Sequence, residues 1–230
     1  MPLKAVTFDC AQTLVNVTWD PIQVAVDAAK RADARFDEQV AAEKYGRLFL
    51  GRQSDYFQVS QKGIEAYDLW WRQLTVDWLQ AIGVDLMYTE GVIHHANRII
   101  YEQREDGQTS VFKACSGAEK ILGELKSMGL KLAVISNWDI SLHRVVELFG
   151  WTDAFELVVA SHEFGVEKPE PAIFNHALKS LNVEPGEALH VGDDPIADVQ
   201  GARAVGMHTF LADHSDQGFA GLLDRVRSLA

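Results

Sequence analysis

From Gly107 onward, the hydrophobic pattern of this chain restricts what it can fold into. Short apolar runs (Leu132-Ala133-Val134-Ile135, Leu157-Val158-Val159-Ala160, Ala188-Leu189-His190-Val191 and Met207-His208-Thr209-Phe210-Leu211) alternate with helical stretches near 117–128, 140–149, 171–181 and 197–205. The runs have the length and branched content of buried strands. Strands joined through helices run parallel, and the helices then cover both faces of the sheet. An earlier run, Leu3-Lys4-Ala5-Val6-Thr7-Phe8, has the same character and is expected to join that sheet.

Between this first strand and Gly107 the period is helical. Asp20-Pro21 opens a helix as N-cap and first helical residue, and further helices are expected from about Asp37, Glu65 and Thr89. Tyr45, Phe49, Trp70, Trp71, Leu74, Trp78 and Ile82 recur near three and four apart, which reads as the buried face of a bundle rather than a ligand cage. Gly51-Arg52-Gln53-Ser54 and Asp106-Gly107-Gln108 read as loops or hinges. The expected organisation is therefore an α/β core of residues 1–16 and 108–230, with a helical domain of residues 17–107 inserted.

Charge narrows the partners. Twenty-one basic against thirty-three acidic residues give a net charge of −12, which disfavours nucleic acid and anionic membrane surfaces. The start of the chain is too short in apolar residues for a signal peptide, and no apolar stretch approaches the ~20 residues of a membrane span, so a cytoplasmic location is expected. Two cysteines, Cys10 and Cys115, make no disulfide framework and no zinc-ligand pair. The eight histidines show no metal-ligand pattern and read as surface or satisfied-core residues.

Ligands of an open parallel sheet gather beyond the carboxyl ends of its strands. There the first strand delivers Asp9, the next Ser136-Asn137, a later loop Lys168-Pro169, and the fourth Gly192-Asp193-Asp194 with Asp198 beyond. Singly, each could be a helix cap or a solvated side chain. Together they form a phosphate site: a carboxylate nucleophile, a second carboxylate for a divalent ion, and hydroxyl and ammonium donors for phosphoryl oxygens.

Phe8-Asp9-Cys10-Ala11-Gln12-Thr13-Leu14, Val134-Ile135-Ser136-Asn137, Lys168-Pro169 and Val191-Gly192-Asp193-Asp194-Pro195-Ile196-Ala197-Asp198 resemble, in order, the four motifs of the haloacid dehalogenase-like hydrolases. The resemblance spans the chain and implies a Rossmann-like parallel-sheet core with an inserted all-helical cap domain. It implies that Asp9 attacks phosphorus and becomes an aspartyl phosphate, that Ser136, Asn137 and Lys168 hold the phosphoryl group, and that Mg²⁺ is bound by Asp9, Asp193 and the backbone carbonyl of Ala11. Asp194 or Asp198 would complete the metal site, and the substrate would be a small phosphorylated metabolite.

Ala11 stands where the family's phosphatases usually carry a second aspartate, which protonates the leaving oxygen and later activates water. Such assistance is worth ~10²–10⁴-fold, so good leaving groups should be favoured over alkyl phosphates. Gln12 stands where glycine is frequent, and glutamine shuttles no proton at neutral pH. The alternatives are a degenerate member that binds phosphate, Mg²⁺ or a protein partner, a phosphonatase-like enzyme, and a 2-haloacid dehalogenase. The acidic fourth motif disfavours the last. Cys10 has no arginine in a following phosphate loop, so it reads as a small residue turned away from the site.

Overall fold

The computed structural model describes residues 2–213 and 218–229. The chain divides into two compact units, with seams at Val17/Thr18 and Phe112/Lys113. The sequence pattern alone put these seams at 16/17 and 107/108. The difference lies in two three-residue strands, β2 (Val15–Val17) and β3 (Phe112–Ala114), which pair with each other and are too short to show a period. Before them comes β1 (Ala5–Phe8).

The inserted unit is helical: α1 (Pro21–Arg31), α2 (Glu38–Leu50), α3 (Gln53–Ser60), α4 (Ile64–Ala81) and α5 (Thr89–Tyr101). Asp20 caps α1 by accepting from the Gln23 amide at 3.0 Å, with Pro21 as first helical residue, and Asp37 caps α2 through the Val40 amide at 2.9 Å. Each carboxylate satisfies an amide that the helix cannot pair internally. Trp78 is fully buried among Ala41, Tyr45, Leu74 and Leu79, and its indole N–H donates to the Ala41 carbonyl at 2.8 Å. Phe49, Trp70, Trp71 and Ile82 pack partly buried against this cluster, so the aromatics do serve as bundle core. One expectation is corrected: Gln53 and Ser54 lie in α3, not in a loop. Gly51 keeps a right-handed φ of −66°, so the chain turns through Gly51 and Arg52 directly into a new helix.

The core unit continues with α6 (Ala118–Ser127), β4 (Lys131–Ser136), α7 (Leu142–Leu148), β5 (Leu157–Ala160), α8 (Ser161–Phe164), α9 (Pro171–Leu181) and β6 (Ala188–Gly192). After β6, a wide π-helical turn, Pro195–Gln200, leads into α10 (Gly201–Ala204), β7 (His208–Leu211) and α11 (Leu222–Arg227). The sheet is five-stranded in the order β5-β4-β1-β6-β7, and every pairing is parallel. Ala5, Ala133, Ile135 and Ala188 give one face to Ile173, Phe174, Ala177, Leu178 and Leu181 of α9. Burying each larger side chain there stabilises the fold by about 1.5–3 kcal/mol.

The chain leaves β1 toward β4 and β5 on one side and later returns to β6 and β7 on the other. The order of strands thus reverses beside β1, and the carboxyl ends of β1 and β6 part at the crevice where such sheets hold ligands. The α/β, Rossmann-like fold with a helical insertion is the one expected from the sequence. Among the described residues, no helix is long and apolar enough to cross a membrane.

Candidate active site

Asp9 directly follows β1, and its amide donates to the Val191 carbonyl of β6 at 2.8 Å, which pins the residue between the two strands. It is buried. Its Oδ1 accepts from the Ser136 hydroxyl at 2.8 Å and from the Lys168 ammonium at 2.6 Å. Ser136 is the last residue of β4, the other neighbour of β1. The Lys168 backbone is clamped by Asn137: the Lys168 amide donates to Asn137 Oδ1 at 2.8 Å, and Asn137 Nδ2 donates to the Lys168 carbonyl at 2.9 Å. Asn137 therefore serves here to fix the loop that presents Lys168.

Lys168 also donates to Asp198 Oδ1 at 2.6 Å. Asp198 is buried behind the lysine, and both of its oxygens carry hydrogen bonds: Oδ1 also meets His190 Nε2 at 3.1 Å, and Oδ2 accepts the Asp194 amide at 3.0 Å. His190 in turn meets Thr7 Oγ1 through Nδ1 at 2.8 Å, because Thr7 and His190 are register partners on β1 and β6. With Thr7 donating to Nδ1, Nε2 carries the proton that Asp198 accepts. The π-helical turn brings Asp198 back under the strand end: both the Asp198 and Val199 amides bond the Asp194 carbonyl, at 3.1 and 3.2 Å. Gly192 is required by the same close approach, since a Cβ there would lie 2.2 Å from the Asp198 carboxyl carbon.

The sequence left Asp194 and Asp198 undivided, and the structure separates them. Asp194 Oδ1 caps the following turn, accepting from the Ile196 and Ala197 amides at 2.6 and 2.9 Å. Oxygens of Asp9, Asp193 and Asp198 lie within 4.8 Å of one another. Asp193 accepts from Thr13 Oγ1 at 2.9 Å, which ties the loop after β1 to the loop after β6.

The loop itself is tight. The Leu14 and Val15 amides both bond the Cys10 carbonyl at 2.9 Å, and Gln12 takes a left-handed φ of 59°. Gln12 Nε2 donates to the Val17 carbonyl at 3.2 Å. Ala11 lies in this loop and brings no acid. Cys10 is buried, and burial pushes its thiol well above the ordinary range, which keeps it protonated.

Burial is also the main influence on Asp9, raising its pKa to about 6 against the pull of Lys168, with Asp198 adding to the rise. Burial opposes the Lys168 charge, but Asp9 and Asp198 outweigh it and hold the ammonium above its usual value. Burial likewise opposes the Asp198 charge, yet the His190 hydrogen bond and Lys168 keep that carboxyl well below the carboxylate range. Burial lowers the His190 pKa, against the opposing hydrogen bond to Asp198. Its part in this network was not legible as a site role. The sequence places it inside a strand, and only the register with Thr7 and the return of Asp198 reveal what it bonds.

A parallel sheet that gathers these carboxylates and one lysine at its carboxyl edge defines a class of hydrolase. The family model described as haloacid dehalogenase-like hydrolase matches residues 3–206, and the chain belongs to that family. It is 30% identical to mouse haloacid dehalogenase-like hydrolase domain-containing protein 3, over 98% of this chain and 88% of that one. A shorter match, 40% identical over 40% of this chain and 40% of the other, is to glyceraldehyde 3-phosphate phosphatase of Pyrococcus abyssi. Among solved structures, 2-haloacid dehalogenase of Pseudomonas syringae pv. Tomato DC3000 superposes with a TM-score of 0.65 at 22% identity, covering 99% of this chain and 100% of that one, which speaks for the fold.

Proposed function

We propose that this hydrolase is a Mg²⁺-dependent phosphatase of small phosphorylated metabolites, working through an aspartyl phosphate on Asp9 and favouring good leaving groups. The observation that carries this reading is the setting of Asp9. Its Oδ1 is held by Ser136 and Lys168, while Oδ2 takes no hydrogen bond among the described residues and is available to attack phosphorus. The phosphatase names among partial relatives agree with it.

The donor set suits the metal. Three clustered carboxylates against one ammonium leave an excess of negative charge, and all the candidate ligands are oxygens, which Mg²⁺ prefers. Asp9 and Asp193, with the Ala11 carbonyl, would hold the ion, whose charge offsets that of the phosphoryl oxygens. Asp198 is better suited to orient Lys168, because hydrogen-bond donors already occupy both of its oxygens.

In the first step an Asp9 oxygen bonds phosphorus as the bond to the leaving oxygen breaks. Ser136 and Lys168 take over the phosphoryl oxygens, and the leaving group departs with its electron pair, unprotonated, because Ala11 supplies no acid. Weakly basic leaving oxygens tolerate this, while alkoxides do not. The helical insertion would supply the substrate selectivity of a cap domain.

The test is hydrolysis of an aryl and an alkyl phosphate, with and without Mg²⁺, by the wild type and by Asp9→Asn and Ala11→Asp variants. Expected are Mg²⁺-dependent aryl activity lost in Asp9→Asn and alkyl activity gained in Ala11→Asp by ~10²-fold or more. Mg²⁺ binding without turnover in the wild type would instead point to a binding protein.

A further inference from the structure

In the second half of such a cycle water attacks the phosphorus of phospho-Asp9, and this step too calls for a base. Among the described residues of the core unit, the side chains around Asp9 that could replace the missing acid each already hold another partner. Gln12 is bonded to the Val17 carbonyl, Thr13 donates to Asp193, and Ser136 donates to Asp9 itself. Asp198 spends one oxygen on Lys168 and His190 and the other on the Asp194 amide. His190, whose Nδ1 is taken by Thr7, lies behind Asp198 and is buried. Asp194 caps its own turn.

Acceptors that already carry a negative oxygen need no base. When a carboxylate attacks phospho-Asp9, its oxygen bonds phosphorus, the Asp9–phosphorus bond breaks, and the Asp9 carboxylate leaves with the electron pair. An acyl phosphate forms and no proton moves. Water must instead pass a proton to solvent or a phosphoryl oxygen as orthophosphate forms. Both Asp9 and the acceptor are carboxylates, so the exchange is close to balanced in energy, and microscopic reversibility lets the site that expels an unprotonated oxyanion admit one.

Building on Asp9 as the nucleophile, we propose that hydrolysis of phospho-Asp9 is the slow half of the cycle, and that the site passes phosphoryl groups between weakly basic oxyanions, carboxylates above all, faster than to water. The protein would then act as a phosphotransferase that exchanges acyl phosphates, with phospho-Asp9 accumulating during turnover.

Full-length protein in Mg²⁺ is given acetyl phosphate with labelled acetate, and three quantities are followed: label entering acetyl phosphate, orthophosphate released, and the intact mass. Exchange at least ~10-fold faster than hydrolysis is expected. One added phosphoryl group per chain should also appear in the wild type and be absent in Asp9→Asn. Ala11→Asp should raise hydrolysis until it overtakes exchange, but the wild-type ratio decides the matter even if that variant folds poorly. Asp9-dependent hydrolysis as fast as exchange would overturn the proposal while leaving Asp9 as nucleophile. Turnover unchanged in Asp9→Asn, or no phosphoryl uptake by the wild type from acetyl or aryl phosphate, would overturn the proposal and the reading beneath it together.

Discussion

Asp198 holds Lys168 and His190 with one oxygen and the Asp194 amide with the other, and the lysine so placed carries the charge that faces Asp9. Gly192 makes room for that arrangement. Gly192→Ala would drive a methyl group into the Asp198 carboxylate, and overpacking of this kind costs about 1–3 kcal/mol. The expected outcome is a lowered urea midpoint together with loss of aryl phosphate hydrolysis. Asp9 gives a pH dependence with a definite sign. Burial raises its pKa to about 6, and a metal binds the ionised form, so protons compete with Mg²⁺ below that value. Mg²⁺ affinity measured by calorimetry should be level above about pH 7 and fall toward tenfold per unit below about pH 6, and a flat profile from pH 5 to 8 would remove Asp9 from the metal site. Asp9, Ser136, Lys168 and Asp193 could be picked out in the sequence because each follows an apolar run or sits in a loop beside one. Choosing between Asp194 and Asp198 could not be done the same way. Both follow Gly192, and only the π-helical turn sends one to the site and the other to a cap.

At the level of elements, the strands and most helices were legible because their periods and caps are local properties. Asp20-Pro21 and Asp37 mark helix starts by chemistry that acts within three residues. Asp20→Ala should remove about 1 kcal/mol of stability, read as a lower urea midpoint with unchanged slope, and leave aryl phosphate hydrolysis intact. What was not legible depends on distant partners. The strands β2 and β3 exist only because they pair with each other across the whole insertion, and a three-residue run carries no signal of its own. The start of α3 was hidden for the opposite reason: Gly51 does end α2, but the turn spans only Gly51 and Arg52, so the helix resumes inside the stretch read as a loop.

For the whole molecule, the two units are built on different principles. One buries an aromatic-rich apolar cluster, whereas the other, beside an apolar core of its own, crowds three carboxylates together at one sheet edge. An ion that binds the folded core and not the unfolded chain stabilises it by mass action, about 2.7 kcal/mol at a hundredfold excess over its dissociation constant. Scanning calorimetry should therefore show the melting of the wild type moving up by several degrees in Mg²⁺, and that of Asp193→Asn staying still. Equal shifts in both would place the ion elsewhere. The net charge of −12 belongs to the same scale: it disfavours polyanions as partners.

Asp9, the proposed nucleophile, follows a strand with a neighbour on each side, and its own amide is tied to the strand beside it. Proteins breathe from their margins inward, and the last hydrogen bonds to open are those at the centre of a sheet. Edge strands and surface helices can thus loosen and close again while Asp9 keeps its place between β4 and β6. If Asp9 is the attacking carboxylate, it is carried by the part of the chain expected to yield last, so its alignment should outlast any partial opening that lets a substrate enter or a product leave.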